Sequence, residues 1–247
     1  MLQAKVLVVV PCYNEEKRLS KKSYQEFISC YPNYRFLFVD DGSKDNTFSI
    51  LDSLRREKPD RYDILKLEQN SGKAEAVRQG FLKGIDSGVE FLAFWDADLA
   101  TPLALLPHFS ALFTQLPSVE IVLGSRIKLM GRDVRRHALR HYLGRIFATC
   151  ASAVLKLEVY DTQCGAKMFR NTETLRAIFQ APFKSKWIFD VELLARYLKT
   201  RGCADAESRI YELPLQMWYD IAGSKVKAVD FFKAFGELFQ IYTTYRN

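Results

Sequence analysis

The chain has 247 residues, 48% apolar and 26% charged, so it can bury a real core as one large domain or as one domain with an appendage. Its five cysteines, Cys12, Cys30, Cys150, Cys164 and Cys203, are odd in number and form no C-x-x-C. That argues against a disulfide framework or a zinc site and for a reducing compartment. The net charge of +7 favours an anionic partner, which leaves nucleic acid, a membrane surface or a phosphorylated metabolite.

The first apolar run, Val6 to Val10, is too short for a signal peptide and ends at Pro11. The loop after it, Pro11-Cys12-Tyr13-Asn14-Glu15-Glu16, lacks the glycines of a dinucleotide site, which weighs against NAD or FAD. Pro11 and Tyr13 offer a rigid, partly aromatic wall for a nucleobase, or the loop merely caps the next helix, near Glu15–Ser29. A second run, Tyr34 to Val39, leads into Asp40-Asp41-Gly42-Ser43-Lys44-Asp45-Asn46-Thr47. Asp41 is placed to accept a hydrogen bond from a base N–H. A helix near Thr47–Glu57 and a strand at Tyr62–Leu67 follow.

Asn70-Ser71-Gly72-Lys73 opens the next helical pattern, Lys73–Ser87. It is no P-loop, because the earlier glycine is absent and Ala74 stands where Ser or Thr would touch Mg²⁺. Lys73 at a helix N-terminus can reach a diphosphate, or it is a solvated lysine. The strand Phe91–Trp95 ends in Asp96-Ala97-Asp98. This D-x-D also occurs in haloacid-dehalogenase-type phosphatases, but there after the first strand, whereas here it follows the fourth. Thr101-Pro102 reads as an N-cap and first helical residue for a helix to Gln115. The strand Val119–Leu123 is followed by Gly124-Ser125-Arg126, where Arg126 can pair with phosphate or form a surface salt bridge.

These near-continuous apolar runs alternate with helices, as in an α/β protein with a mostly parallel sheet covered on both faces. Carboxylate pairs at the carboxyl ends of two strands face the crevice where such sheets bind ligands. They suit a polyphosphate held through Mg²⁺ or Mn²⁺.

Beyond Arg126, residues Gly131 to Leu157 read as one long helix, basic first and apolar later. His137 and His141 are four apart on it, but flanking arginines make them basic-face residues rather than metal ligands. Arg126, Lys128, Arg132, Arg135, Arg136, Arg140 and Arg145 form the densest basic stretch, with Arg132, Arg136 and Arg140 on one helical face. A short segment Asp161–Phe169, a helix near Asp190–Lys199 and a strand near Arg209–Leu213 follow. Ser224 to Tyr245 reads as an amphipathic helix with Val226, Val229, Phe232, Phe235, Phe239 and Tyr242 on one face, expected to pack on the core. No apolar stretch reaches the ~18 to 20 residues of a membrane span. The basic residues lack an aromatic stacking platform, so nucleic acid is not expected as a partner.

In order, the chain carries PCYNEE, DDGSKDNT, NSGKAEAVRQG, DADL, GSR, DTQCGAKMF, FDVELL and Glu212-x-Pro214 before Gly223-Ser224-Lys225. This set resembles the family 2 glycosyltransferases of GT-A fold, in the polyprenyl-phosphate sugar transferase group. Residues 161–169 are most similar to the dolichyl-phosphate β-glucosyltransferase branch, with Ala166 where that branch has Phe. No segment reads as the membrane anchor common in that branch.

The resemblance implies a GT-A fold: a Rossmann-like, mostly parallel central sheet with flanking helices and a helical C-terminal acceptor region. It implies one domain over 1–247, with 1–126 binding the nucleotide sugar and 127–247 forming the acceptor side. Pro11, Tyr13, Glu15, Val39 and Asp41 would hold the nucleoside. Asp96 and Asp98, with Ala97 between them, would place Mg²⁺ or Mn²⁺ on the diphosphate. Lys73, Arg126 and Lys225 would neutralise phosphate charge, and Asp190 would serve as base or orienter of the acceptor. The implied reaction is inverting transfer of a hexose, from UDP-glucose, to a polyprenyl phosphate. Transfer to a glycan hydroxyl and GDP-mannose-dependent transfer to polyprenyl phosphate are the alternatives, and a nucleotide-sugar-binding regulator is a third class. The expected location is cytoplasmic, peripheral on the cytoplasmic face of an anionic membrane.

Overall fold

The computed structural model describes residues 5–135, 138–220 and 228–245, with side chains except those of 138–141 and 228–232. The first half alternates as the apolar runs require: β1 Val6–Cys12, α1 Lys21–Cys30, β2 Tyr34–Asp40, α2 Thr47–Glu57, β3 Tyr62–Lys66, α3 Lys73–Ile85 and β4 Phe91–Trp95. A 3₁₀ turn, Leu103–Leu105, leads into α4 Leu106–Gln115, and β5 Ile121–Ser125 follows. The rest comprises β6 Asp133–Arg135, α5 Ala138–Leu155, β7 Ala166–Arg170, α6 Glu173–Gln180, α7 Phe189–Arg201, α8 Cys203–Ser208, β8 Ile210–Pro214, β9 Met217–Tyr219 and α9 Ala228–Tyr245.

Seven strands form one sheet in the order β3-β2-β1-β4-β7-β5-β8. Among the described residues of this sheet only β7 runs antiparallel, to its neighbours β4 and β5. Alternate residues feed two cores. Leu7, Val9, Leu37, Val39, Leu92 and Phe94 face α3, α6, α7 and α9. Val6, Val8, Val10, Phe36, Phe38 and Trp95 face α1, α2 and α4. At about 25 cal/mol per Å² of buried apolar area, these two layers dominate the stability of the fold. α3 lies close on the sheet because position 80 is glycine: a Cβ there would sit 2.4 Å from Val9 Cγ1 and 2.9 Å from Val39 Cγ2.

Four readings of the sequence change. The helix expected over 131–157 begins only at Ala138, because Asp133–Arg135 instead pairs in parallel with Met217–Tyr219 in a separate small sheet. Arg132 therefore lies ahead of a strand and not on the helical face expected of it. Thr101 caps nothing with its side chain; its carbonyl accepts the Trp95 indole N–H at 2.6 Å. α6 was not read from the sequence, although Thr172 at its N-cap accepts from Leu175 N–H. In α9 the buried stripe is Ala234, Leu238 and Ile241, while Phe239, on the expected face, is 69% exposed. His137, Arg136, Lys225 and Val226 lie outside the described residues, as do the side chains of Arg140, His141, Val229 and Phe232.

β1 leads to β2 and β3 on one side, while β4 pairs on its other side. The strand order thus reverses between β1 and β4, and the crevice at their carboxyl ends is where such sheets take ligands.

Candidate active site

The loop after β1 is knitted to the loop after β2. Asn14 N–H donates to Ser43 Oγ at 3.1 Å, Glu15 N–H to Thr47 Oγ1 at 2.8 Å and Lys44 N–H to Asn14 Oδ1 at 2.8 Å. The Asp45 carboxylate accepts from Thr47 and Glu16 and so ties this corner at the start of α2. Glu15 is buried and pairs with Arg18, whose Nη1 lies 3.9 Å from Asp98 Oδ2. Arg18, missed in the sequence, links the first loop to the second acidic cluster.

Asp41 is also buried. Both carboxylate oxygens already accept backbone N–H groups, from Ser71 at 2.7 Å and Gly72 at 2.8 Å. Burial raises its pKa against those two hydrogen bonds. Its first task is to hold the turn that starts α3, and a nucleobase would use a remaining lone pair. Asp40, beside it, accepts from Ser43 N–H on Oδ1, while the buried Oδ2 has no hydrogen-bond partner. Val39 is fully buried against the Gly80 backbone. Its side chain belongs to the core and has no surface to offer a nucleoside.

At the end of β4, Leu99 adopts a left-handed conformation (φ 54°), uncommon for a side chain of its size. Its N–H donates to Asp96 O at 3.2 Å, which folds Asp98 back beside Asp96. Lys73, the first residue of α3, places Nζ 2.6 Å from Asp96 Oδ1. Burial opposes the Lys73 charge, but Asp96, Asp190 and Asp98 outweigh it and raise its pKa. The Asp98 pKa is pushed up by burial and by the Asp96 charge, against the Ala100 N–H, Lys73 and Arg18.

The DTQCGAKMF segment forms the facing wall. Gly165 O accepts the Asp96 N–H at 2.9 Å, and a Cβ at Gly165 would stand 1.8 Å from Asp96 Oδ2. Only glycine allows the Asp96 carboxylate this position. Asp161 takes Arg126 in a bidentate pair, Nε–Oδ2 2.6 Å and Nη2–Oδ1 2.8 Å. Burial opposes the Arg126 charge, but Asp161 raises its pKa further. Arg126 is thus committed to a buried carboxylate rather than to a surface bridge. Burial pushes the Cys164 thiol up to about 11, so it is inert as a nucleophile at neutral pH.

Lys167, on β7, is fully buried. Its Nζ donates to Asp190 Oδ1 and to Cys164 O, both at 2.6 Å. A lysine inside the apolar strand Ala166–Arg170 was the available signal, since such a residue is almost never buried without a partner. The structure therefore gathers Lys73, Asp96, Asp98 and Asp190 around one crevice, with Arg126 and the Asp41 turn at its walls. Among the described residues no group of three or more His, Cys, Asp or Glu could hold a metal ion. A cation on Asp96 and Asp98 would need water or substrate oxygens to complete its shell.

Residues 7–175 match the sequence model of a family described as glycosyl transferase family 2. The chain is similar to the dolichyl-phosphate beta-glucosyltransferase of Dictyostelium discoideum, 32% identical over 89% of this chain and 68% of that protein. It is likewise similar to the protein of that name from Saccharomyces cerevisiae, 30% identical over 96% of this chain and 74% of that one. A glucosyl-3-phosphoglycerate synthase from Mycobacterium tuberculosis, solved with Mn²⁺, UDP and phosphoglyceric acid, shares the fold. Its TM-score is 0.69 at 17% identity, covering 97% of this chain and 78% of that one.

Proposed function

The chain belongs to glycosyl transferase family 2, and from that premise we propose that it transfers glucose, with inversion, from UDP-glucose to a dolichyl or other polyprenyl phosphate. One observation carries the reading: Lys73, Asp96, Asp98 and the Lys167–Asp190 pair converge on the crevice between β1 and β4. The names of the relatives support the acceptor and the sugar. The test is release of UDP from UDP-glucose with and without polyprenyl phosphate. Acceptor-dependent release supports the reading, and equal release in both arms removes the lipid acceptor from it.

The donor diphosphate lies at the N-terminus of α3, where free backbone N–H groups and the helix dipole favour anions. Pro11 and Tyr13 flank the base, and the Asp41 turn closes over it. Lys73, with Arg126 and Lys225 of the expected set, opposes charge building on the departing UDP. The acceptor oxygen attacks the anomeric carbon from the face opposite UDP. A phosphate monoester with a second pKa near ~6 is largely ionised at neutral pH, so it needs no base. Asp190, clamped by Lys167, then orients the acceptor.

Asp96 and Asp98 fit a divalent cation. Both are hard oxygen donors, and the pKa of Asp98 is raised first by burial and then by the Asp96 charge, a repulsion between the two carboxylates that a cation would relieve. Bound there, Mg²⁺ or Mn²⁺ would act as a Lewis acid on the diphosphate. The Mycobacterium tuberculosis enzyme was solved with Mn²⁺ and UDP.

UDP should bind more tightly than GDP or CMP by about tenfold, equivalent to about 1.4 kcal/mol. Calorimetry checks this, and tighter binding of GDP would move the reading to a mannosyl donor.

Among the described residues no helix is long and apolar enough to cross a membrane, so contact with a lipid acceptor is assigned to a surface. Three of the seven residues of the basic stretch are engaged: Arg126 with Asp161, Arg135 with Asp133, and Arg145 with Tyr160 O. α5 instead exposes Tyr142 at 67% and Ile146 at 55%, one helical turn apart. We assign peripheral binding on the cytoplasmic face to this turn, aided by Lys128 and Arg132. Tyr142→Glu with Ile146→Glu should weaken binding to anionic vesicles about tenfold or more and leave UDP affinity unchanged. Unchanged vesicle sedimentation would overturn the assignment.

A further inference from the structure

α7 carries Asp190 in its first turn, yet begins without a side-chain cap of its own. The cap comes from another element. Glu237, on α9, accepts the backbone N–H of Lys186 at 3.3 Å, of Trp187 at 3.0 Å and of Ile188 at 3.1 Å, and the Ser185 hydroxyl at 2.8 Å. A carboxylate at this place gathers the amides of the turn that leads into the helix, that of the N-cap Ile188 among them, and lies by the positive end of the helix dipole. α9 reaches the same loop a second time through Tyr245. Its hydroxyl donates at 2.8 Å to Glu192 Oε1, and Glu192 accepts the N–H groups of Lys184 and Ser185.

The loop over 184–188 therefore has its amides gathered by two carboxylates, one of them from α9. The next residues are Phe189 and Asp190. The Asp190 carboxylate is held by Lys167 on β7, and the backbone two residues before it, at Ile188, is held by Glu237 on α9. The second restraint belongs to the C-terminal helix, which packs on α5 and α7 through Ala234, Leu238 and Ile241.

We propose that Glu237 is a positioning residue for transfer: by holding the 185–188 turn it sets the first turn of α7 and with it the direction of the Asp190 carboxylate. The proposal rests on Asp190 orienting the acceptor, as argued above. Glu237 touches no substrate. Its effect falls on turnover and leaves donor binding alone.

The test combines amide exchange with a double-mutant cycle. In Glu237→Ala the amides of Lys186 and Trp187 should exchange about tenfold or more faster, since their acceptor is gone, and that of Ile188 less so, since it also donates to Ser185 Oγ. Transfer from UDP-glucose to polyprenyl phosphate should fall in kcat by about ten- to hundredfold, as expected for lost hydrogen bonds to a charged group. UDP affinity should stay within about twofold, and Glu237→Gln, which keeps an acceptor oxygen, should recover most of the rate. In the Asp190→Asn background the same Glu237→Ala change should cost nothing further. Should Glu237→Ala fail to fold, Glu237→Asp, which keeps the charge but shortens the reach, carries the same comparison. Equal slowing of the parent and of Asp190→Asn overturns the proposal, because Glu237 would then act on the fold alone. Parental transfer by Asp190→Asn itself sinks the role of Asp190 instead.

Discussion

Asp98→Ala should lose transfer by several orders of magnitude while remaining folded, and EDTA should abolish transfer by the parent, with Mg²⁺ or Mn²⁺ restoring it. The two halves of this expectation have different origins. The Asp98 side chain is a quarter exposed, accepts one N–H from Ala100 at 3.1 Å and meets Arg18 only at 3.9 Å. Removing it also relieves repulsion from Asp96, so its loss should cost about 1 kcal/mol of stability or less. For transfer the balance is reversed. Charge develops on the departing diphosphate, and interactions made only then act directly on the barrier, each ~1.4 kcal/mol giving a factor of ten. Thermal melts alongside the transfer assay check both halves. Full activity of Asp98→Ala in EDTA would remove the metal assignment.

The second large effect is on stability. Lys167→Met should destabilise the chain by about 3 to 5 kcal/mol, because Asp190 would keep a buried carboxylate without its partner. For a domain of this size that lowers the melting temperature by roughly 6 to 20 °C. Methionine nearly matches the stem of lysine, so the cost arises from charge rather than from a cavity. Lys167→Met with Asp190→Leu should regain much of the stability, since replacing a buried pair by apolar groups is often neutral, and should regain none of the activity. Calorimetric melts of Lys167→Met, of Asp190→Leu and of the double variant check the cycle. A Lys167→Met variant that melts with the parent would mean that the pair contributes nothing to the fold.

The first half of the fold was legible because strands covered on both faces must be apolar throughout, and helices between them must show one apolar stripe. Val6–Val10, Tyr34–Val39 and Phe91–Trp95 meet the first demand, so the acidic residues that end the last two fell at strand ends. β7 was obscured because Lys167 interrupts its apolar run, and β6 because a three-residue strand has no period to read. The side-chain partnerships were hidden for another reason. Arg126 and Asp161 are 35 residues apart, and Lys167 and Asp190 are 23 apart. No spacing rule connects such positions, and only the packing of the walls brings them together. Asp41 was found as a residue but not as the keeper of the α3 turn, since its two backbone donors arrive from residues 71 and 72.

The one antiparallel strand also orders events during synthesis. β4 and β5 are neighbours in sequence but not in space, because β7 lies between them. Until residue 170 has left the ribosome, β4 is the open edge of a four-stranded sheet, and its run Phe91–Trp95 is among the most apolar in the chain. An unpaired, apolar edge is a template for pairing with another molecule. β5 meanwhile has neither flanking partner, since β8 arrives later still. The nascent chain thus holds its nucleotide-side strands in an unfinished sheet for about 75 residues of elongation, from the end of β4 at Trp95 to the end of β7 at Arg170, or about 4 to 15 seconds at ordinary rates. A chaperone that shields the β4 edge over that interval would matter more to this protein's yield than one acting on the completed chain.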